Sequence, residues 1–156
     1  MKRLLFIALF ASLLASSASA RLGETLDQLK SRYGKPEAGS RKDVSIWLFE
    51  TEDEKQLMLS VTFSAKGLSI AEGLKPGPYA RLSQNSVQAF IDVQLAPYSK
   101  SKTLLHPKTG EAYAFAGRNF VCGEHEEVYV DDAHGVLIVW NQEAPTVMAV
   151  SAAMLN

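Results

Sequence analysis

The sequence predicts an α+β fold in which two helices pack against an antiparallel sheet, arranged as two similar helix-meander units forming a two-layer sandwich. Three observations carry this reading. Apolar residues recur at helical spacing in two short stretches, "TLDQLKSRY" and "SVQAFIDVQL". Much of the remaining chain alternates apolar and polar residues with period two, as half-buried strands do. The order, one helix followed by strands, occurs twice.

The first twenty residues stand apart from this pattern. "MKRLLFIALFASLLASSASA" places Lys2 and Arg3 before an apolar run from Leu4 to about Ala15 and ends in Ala18-Ser19-Ala20. That is the form of a secretory signal peptide cleaved after Ala20. The run is shorter than the ~20 residues a spanning helix needs, and no cysteine at the cleavage site offers a thioether for a lipid. Residues 1–20 are therefore expected to be removed, leaving 21–156 as a single α+β domain with sub-units at 21–79 and 80–156. The mature protein is expected to be periplasmic or extracellular, with no membrane span.

Charge and cysteine content narrow the function classes. The 156 residues carry 16 basic and 17 acidic side chains, and loss of Lys2 and Arg3 with the leader tips the balance further toward acidic. No basic stripe is available to track a phosphate backbone, so nucleic acid is not an expected partner. Cys122 is the one cysteine, so stability must come from a hydrophobic core rather than from internal disulfides. With 47% of residues apolar, such a core can form.

In the first unit, Thr25 and Gln28 have the spacing of a capping box. Leu26, Leu29 and Tyr33 form one helical face that Gly34 and Pro36 terminate, and Asp27, Lys30 and Arg32 are left for a solvated face. After the loop "EAGSRKD" the strands "SIWLFE" and "QLMLSVTFS" follow, joined by the charged turn "TEDEK". Leu57, Leu59, Val61 and Phe63 share the core face of the second strand; Met58, Ser60, Thr62 and Ser64 share the other. The turn Ala65-Lys66-Gly67 leads into "LSIAEGL", and "KPGP" closes the unit.

The second unit opens with Ser83 as N-cap and with Leu82 and Val87 placed for a hydrophobic staple. Val87, Phe90, Ile91 and Leu95 form the stripe of a helix over about Gln84–Gln94, which Pro97 ends. "EAYAFAG", "EEVYVDD", "GVLIVW" and "TVMAVSAAML" then read as strands, with "HPKTG", "GRN", "DDAHG" and "NQEAP" as punctuation. "VLIVW" is apolar on both sides of the pleat and is expected to be a central strand covered on both faces.

The pattern Gly23-x-Thr25, Leu29 and Tyr33-Gly34-x-Pro36, followed by a meander, resembles the helix-then-β units of the SmpA/OmlA outer-membrane lipoproteins and of the β-lactamase-inhibitor-like fold. The "LGET…YGKP" segment is also similar to the start of small exported bacterial proteins of unknown function. The resemblance implies a two-layer α/β sandwich used for protein contacts rather than chemistry. It is close over 22–36 and holds elsewhere in outline. The lipidated cysteine of the lipoproteins has no counterpart here, and no inhibitor contact residue carries over.

The cluster "VCGEHEEVYVDDAHG" gathers Cys122, Glu124, His125, Asp131, Asp132 and His134. A metal site needs three or four converging ligands, and C-x-x-H supplies two. If 126–132 is a strand, His125 and His134 lie at its opposite ends, roughly 27–30 Å apart at ~3.3 Å per residue. No metal site is expected, and no cofactor. Cys122 with His125 as base would need a lowered thiol pKa, which an acidic turn opposes. The sequence also lacks G-x-S-x-G, H-E-x-x-H and a phosphate-cradling loop. The expected protein is thus a non-catalytic protein-binding or envelope-assembly module whose partner is another envelope or extracellular protein. The alternative is a metal-dependent or cysteine hydrolase centred on Cys122 and His125. Among the strand aromatics, Trp47, Phe49, Tyr113 and Phe115 are the candidate binding residues, because aromatic side chains dominate contact hot spots.

Overall fold

The computed structural model describes residues 22–37, 41, 43–50, 56–78 and 80–155. The expected leader and the charged turn "TEDEK" lie outside the described residues. These residues form two α-helices packed on a sheet, an α+β fold.

Helix α1 spans Leu26–Tyr33 and begins with the expected capping box. Gln28 N–H donates to Thr25 Oγ1 at 3.3 Å, and Thr25 N–H donates to Gln28 Oε1 at 2.8 Å, which satisfies two backbone donors that the first turn leaves over. Leu29 is fully buried beneath it. Arg32 corrects the sequence reading. It is not on a solvated face but donates two hydrogen bonds, 2.8 and 2.6 Å long, to the carboxylate of Glu24. The reason lies outside the helix: Glu24 is stitched to the sheet, donating from its N–H to Ser69 Oγ and accepting from Ser69 N–H, and its buried carboxylate demands a cation.

Strands β1 (Val44–Phe49), β2 (Leu57–Phe63) and β3 (Ser69–Pro76) form the first antiparallel meander, with Trp47 opposite Leu59 and Leu59 opposite Leu74. Helix α2 spans Gln84–Leu95, capped by Ser83, whose hydroxyl accepts from Ser86 N–H at 3.1 Å. Val87, Phe90 and Ile91 are its buried face. Gln94 adds a buried polar link to the sheet, donating from Nε2 to Glu72 Oε2 at 2.9 Å.

Five strands follow: β4 (Ala112–Phe115), β5 (Arg118–Val121), β6 (Glu126–Asp131), β7 (Val136–Asn141) and β8 (Thr146–Ser151). The main sheet runs β1-β2-β3-β8-β7-β6, each neighbour antiparallel, so the two meanders join where Leu74 of β3 faces Val147 of β8. Strand β4 does not enter this sheet. It pairs with β5 as a separate ribbon, and β5 begins inside the "GRN" segment expected to be a turn. The turn is instead Ala116-Gly117, both with positive φ, the conformation that matches a two-residue hairpin. Asn-Gly or Asp-Gly is the usual signal for that turn, and an alanine conceals it.

The ribbon creates a second core. Leu29, Trp47, Leu59, Val61, Phe90 and Ile138 pack on the helix side of the sheet, while Tyr113, Phe115, Cys122, Val128, Val130 and Leu137 pack beneath the ribbon on the other side. Strand β7 supplies Ile138 to one and Leu137 to the other, as a doubly covered strand should. The free edge of β6 is closed by Leu105, which exchanges two backbone hydrogen bonds with Val130. No helix among the described residues is long and apolar enough to cross a membrane.

Candidate functional site

The ribbon covers only one end of the sheet. Its core reaches β6, β7 and Val150 of β8, while α1 and α2 occupy the opposite face. Val150 of β8 packs against the ribbon core and Ala71 beside it on β3 is buried, so strand alternation leaves the second face of β1 and β2, with the adjoining Gly73–Lys75 part of β3 and Met148 of β8, without a packed layer among the described residues. Across that face the register aligns Ile46, Ser60, Gly73 and Met148 in one row, and Leu48, Met58 and Lys75 in the next. Leu48 is 41% and Met148 44% exposed, large values for apolar side chains on sheet strands. Gly73 shapes the middle of the patch: a Cβ there would meet Ser60 Oγ at 3.3 Å and Met148 Cγ at 3.7 Å, so its absence lets the methionine lie across β3. The result is a mixed surface of aliphatic and thioether groups with few charges.

The four aromatic residues expected at a contact surface are placed elsewhere. Trp47 is 2% exposed and donates from Nε1 to Gly34 O at 2.9 Å, and Phe49 packs with it on the helix side, edge-on to Tyr33 at 5.6 Å. Phe115 is wholly buried and Tyr113 nearly so, Tyr113 stacked on Phe120 under the ribbon. In this structure they serve as packing residues, because alternation turns the first pair toward the helices and the second toward the sheet. Leu48 and Met148 were not singled out from the sequence. Their signal was there: apolar residues at positions out of phase with the core face.

No family model matches the chain. No curated protein matches it either. One solved structure is similar, an extracellular protein containing a SCP domain from Bacillus anthracis str. Ames, at 13% identity and a TM-score of 0.40, covering 90% of this chain and 48% of that one. The chain thus spans about half the length of that structure. The resemblance of residues 22–36 to the SmpA/OmlA lipoproteins gains no further support from these comparisons.

The chemical candidates do not assemble into a reactive centre. Cys122 is buried, and its thiol donates weakly to Glu126 O at 3.6 Å and Gly123 O at 3.8 Å. Burial pushes the thiol pKa up, and Glu126 and Glu111 push it further, opposite to what a nucleophile needs. His125 Nε2 lies 3.2 Å from Glu143 Oε1, and the Cys122 thiol bonds to Gly123 O and Glu126 O rather than to the imidazole. Asp131 and His134 do meet: the carboxylate, fully buried, accepts from His134 Nδ1 at 2.9 Å and from Thr103 Oγ1 at 2.7 Å. Burial alone would raise the Asp131 pKa, but hydrogen bonds from Ser101, Thr103 and His134 with the histidine charge bring it down to about 2. The nearby hydroxyls serve the carboxylate, so this group staples the 101–103 segment to the end of β6. Among the described residues no three His, Cys, Asp or Glu side chains converge as metal ligands.

Proposed function

We propose that the chain is an exported, non-catalytic protein-binding module that holds another envelope or extracellular protein against the open face of its sheet. The observation behind this reading is the uneven cover: helices on one face, a ribbon core over β6, β7 and Val150 of β8 on the other, and exposed Leu48 and Met148 among mixed residues on the uncovered strands. Exposed large apolar side chains gathered on one sheet face support a contact surface there. The export half rests on the leader sequence, with its basic start and Ala18-Ser19-Ala20 end.

The test uses capture from native envelope and culture fractions with the wild-type protein, with a Leu48→Asp/Met148→Asp variant, and with Leu105→Asp as an exposed control remote from the patch. A partner held by the wild type and the control but lost by the double variant, with all three equally folded by circular dichroism, supports the reading. Capture indifferent to the double variant overturns it. So does a homodimer that the double variant dissolves, since the patch would then be a self-association surface.

A further inference from the structure

A second surface feature lies on the opposite side of the sheet from the open face. Between the segment entering α2 and the β7–β8 turn runs a cleft of about 540 Å³, lined by Arg81, Leu82, Trp140, Gln142, Glu143 and Pro145. That volume is within the ~300–1,000 Å³ typical of small-ligand sites. We infer that this cleft is a ligand site that takes a carboxylate carried beside an apolar group, in the manner of a peptide C-terminus.

The polar groups of the wall define the charge. Arg81 makes no hydrogen bond or ion pair with any described residue, and it is exposed. The indole N–H of half-buried Trp140 likewise has no acceptor among the described residues, and neither does the side-chain amide of Gln142, whose backbone N–H is used by His125 O at 2.9 Å. Glu143, the one carboxylate of the wall, lies 3.2 Å from His125 Nε2 and is 72% exposed, so its charge is largely met by water. The unused groups are thus mainly donors, and they call for an anionic acceptor. A single guanidinium with no second cation in the lining balances one negative charge, which fits a carboxylate better than a phosphate dianion. The remaining wall, made of Leu82, Pro145 and the Trp140 ring, is apolar. A hydroxyl-rich sugar acid would find too few acceptors there; an aliphatic group beside the carboxylate would find contact.

The experiment follows the Trp140 indole N–H by NMR during titration with the tripeptide acetyl-Ala-Ala-Leu bearing a free carboxylate, the same peptide as its C-terminal amide, hexanoate and glucuronate. Saturable shifts are expected with the free-acid peptide. They should weaken at least about tenfold on amidation and equally in Arg81→Gln, as loss of a charge-assisted pair requires. Arg81→Lys should recover part of the binding. Saturation by hexanoate with the same Arg81 dependence also supports the site and names a free aliphatic acid as the source; saturation by the peptide alone names a chain end. No response to either, indifference to Arg81, or glucuronate binding as tightly as the peptide overturns the inference. The Leu48→Asp/Met148→Asp variant should bind these probes like the wild type, so failure of the open-face reading and failure of this one are separable.

Discussion

Asp131 joins burial, charge and loop order in one side chain. Its carboxylate is removed from water yet kept ionised by three hydrogen bonds and the adjacent imidazole, with a pKa of about 2 against an ordinary 3.8. A folded-state pKa below the unfolded one means that the group's contribution to stability is fully present above pH ~4 and is lost as pH falls toward 2. Urea midpoints measured at pH 5, 3.5 and 2.5 should therefore decline, and Asp131→Asn should flatten part of that decline. At pH 7 the substitution should cost about 1–3 kcal/mol, because Thr103 and His134 then face a weaker and partly mismatched acceptor. An Asp131→Asn profile parallel to the wild type would show that other carboxylates govern the acid limb.

At the scale of elements, the β4–β5 ribbon is the piece that reshapes the molecule. Its turn forces Ala116 to φ 50°, the left-handed region that an L-residue with a Cβ enters at a cost, with Gly117 following at φ 72°. Ala116 is held there partly by its N–H, which donates to Asp132 Oδ1 at 2.8 Å. Ala116→Gly should remove the steric cost and keep the hydrogen bond. The expected outcome is unchanged or higher stability, by up to about 1 kcal/mol, measured by denaturant melts. Loss of more than 1 kcal/mol would mean that the alanine methyl, which packs near the second core, matters more than the backbone. Helix α1 makes the contrasting case: its cap, stripe and stop are all local.

At the scale of the whole molecule, the described residues build a six-stranded sheet with unequal cover, the separate β4–β5 ribbon lying over one end of it. Pairing of β3 with β8 joins two meanders into six strands, and β7 anchors cores on both faces. The start of the fold is compatible with leader removal after Ala20: Leu22 packs against the helix-side core and Gly23 N–H donates to Ser69 O at 2.8 Å, so cleavage there leaves both contacts intact. The export reading predicts that secreted or periplasmic material begins at Arg21 and carries no lipid. N-terminal sequencing with intact-mass measurement checks this, and a chain beginning at Met1 would contradict it.

By itself the sequence determined both helices with their caps, the first meander, the strands β6, β7 and β8, and the doubly covered character of "VLIVW". These follow from chemistry within a few residues: a hydroxyl three positions before a glutamine, a period of two or of 3.6, a glycine or proline where a helix stops. Only the tertiary structure decided that Arg32 is clamped on Glu24, since Ser69, 45 residues beyond Glu24, holds the Glu24 main chain against the sheet and so places its carboxylate beside Arg32. It also decided that Trp47, Phe49, Tyr113 and Phe115 pack inward while Leu48 and Met148 stay exposed. Alternation shows that a strand has two different faces, but which of them is buried depends on where helices and ribbon come to rest, and that is settled by contacts between residues far apart in the chain.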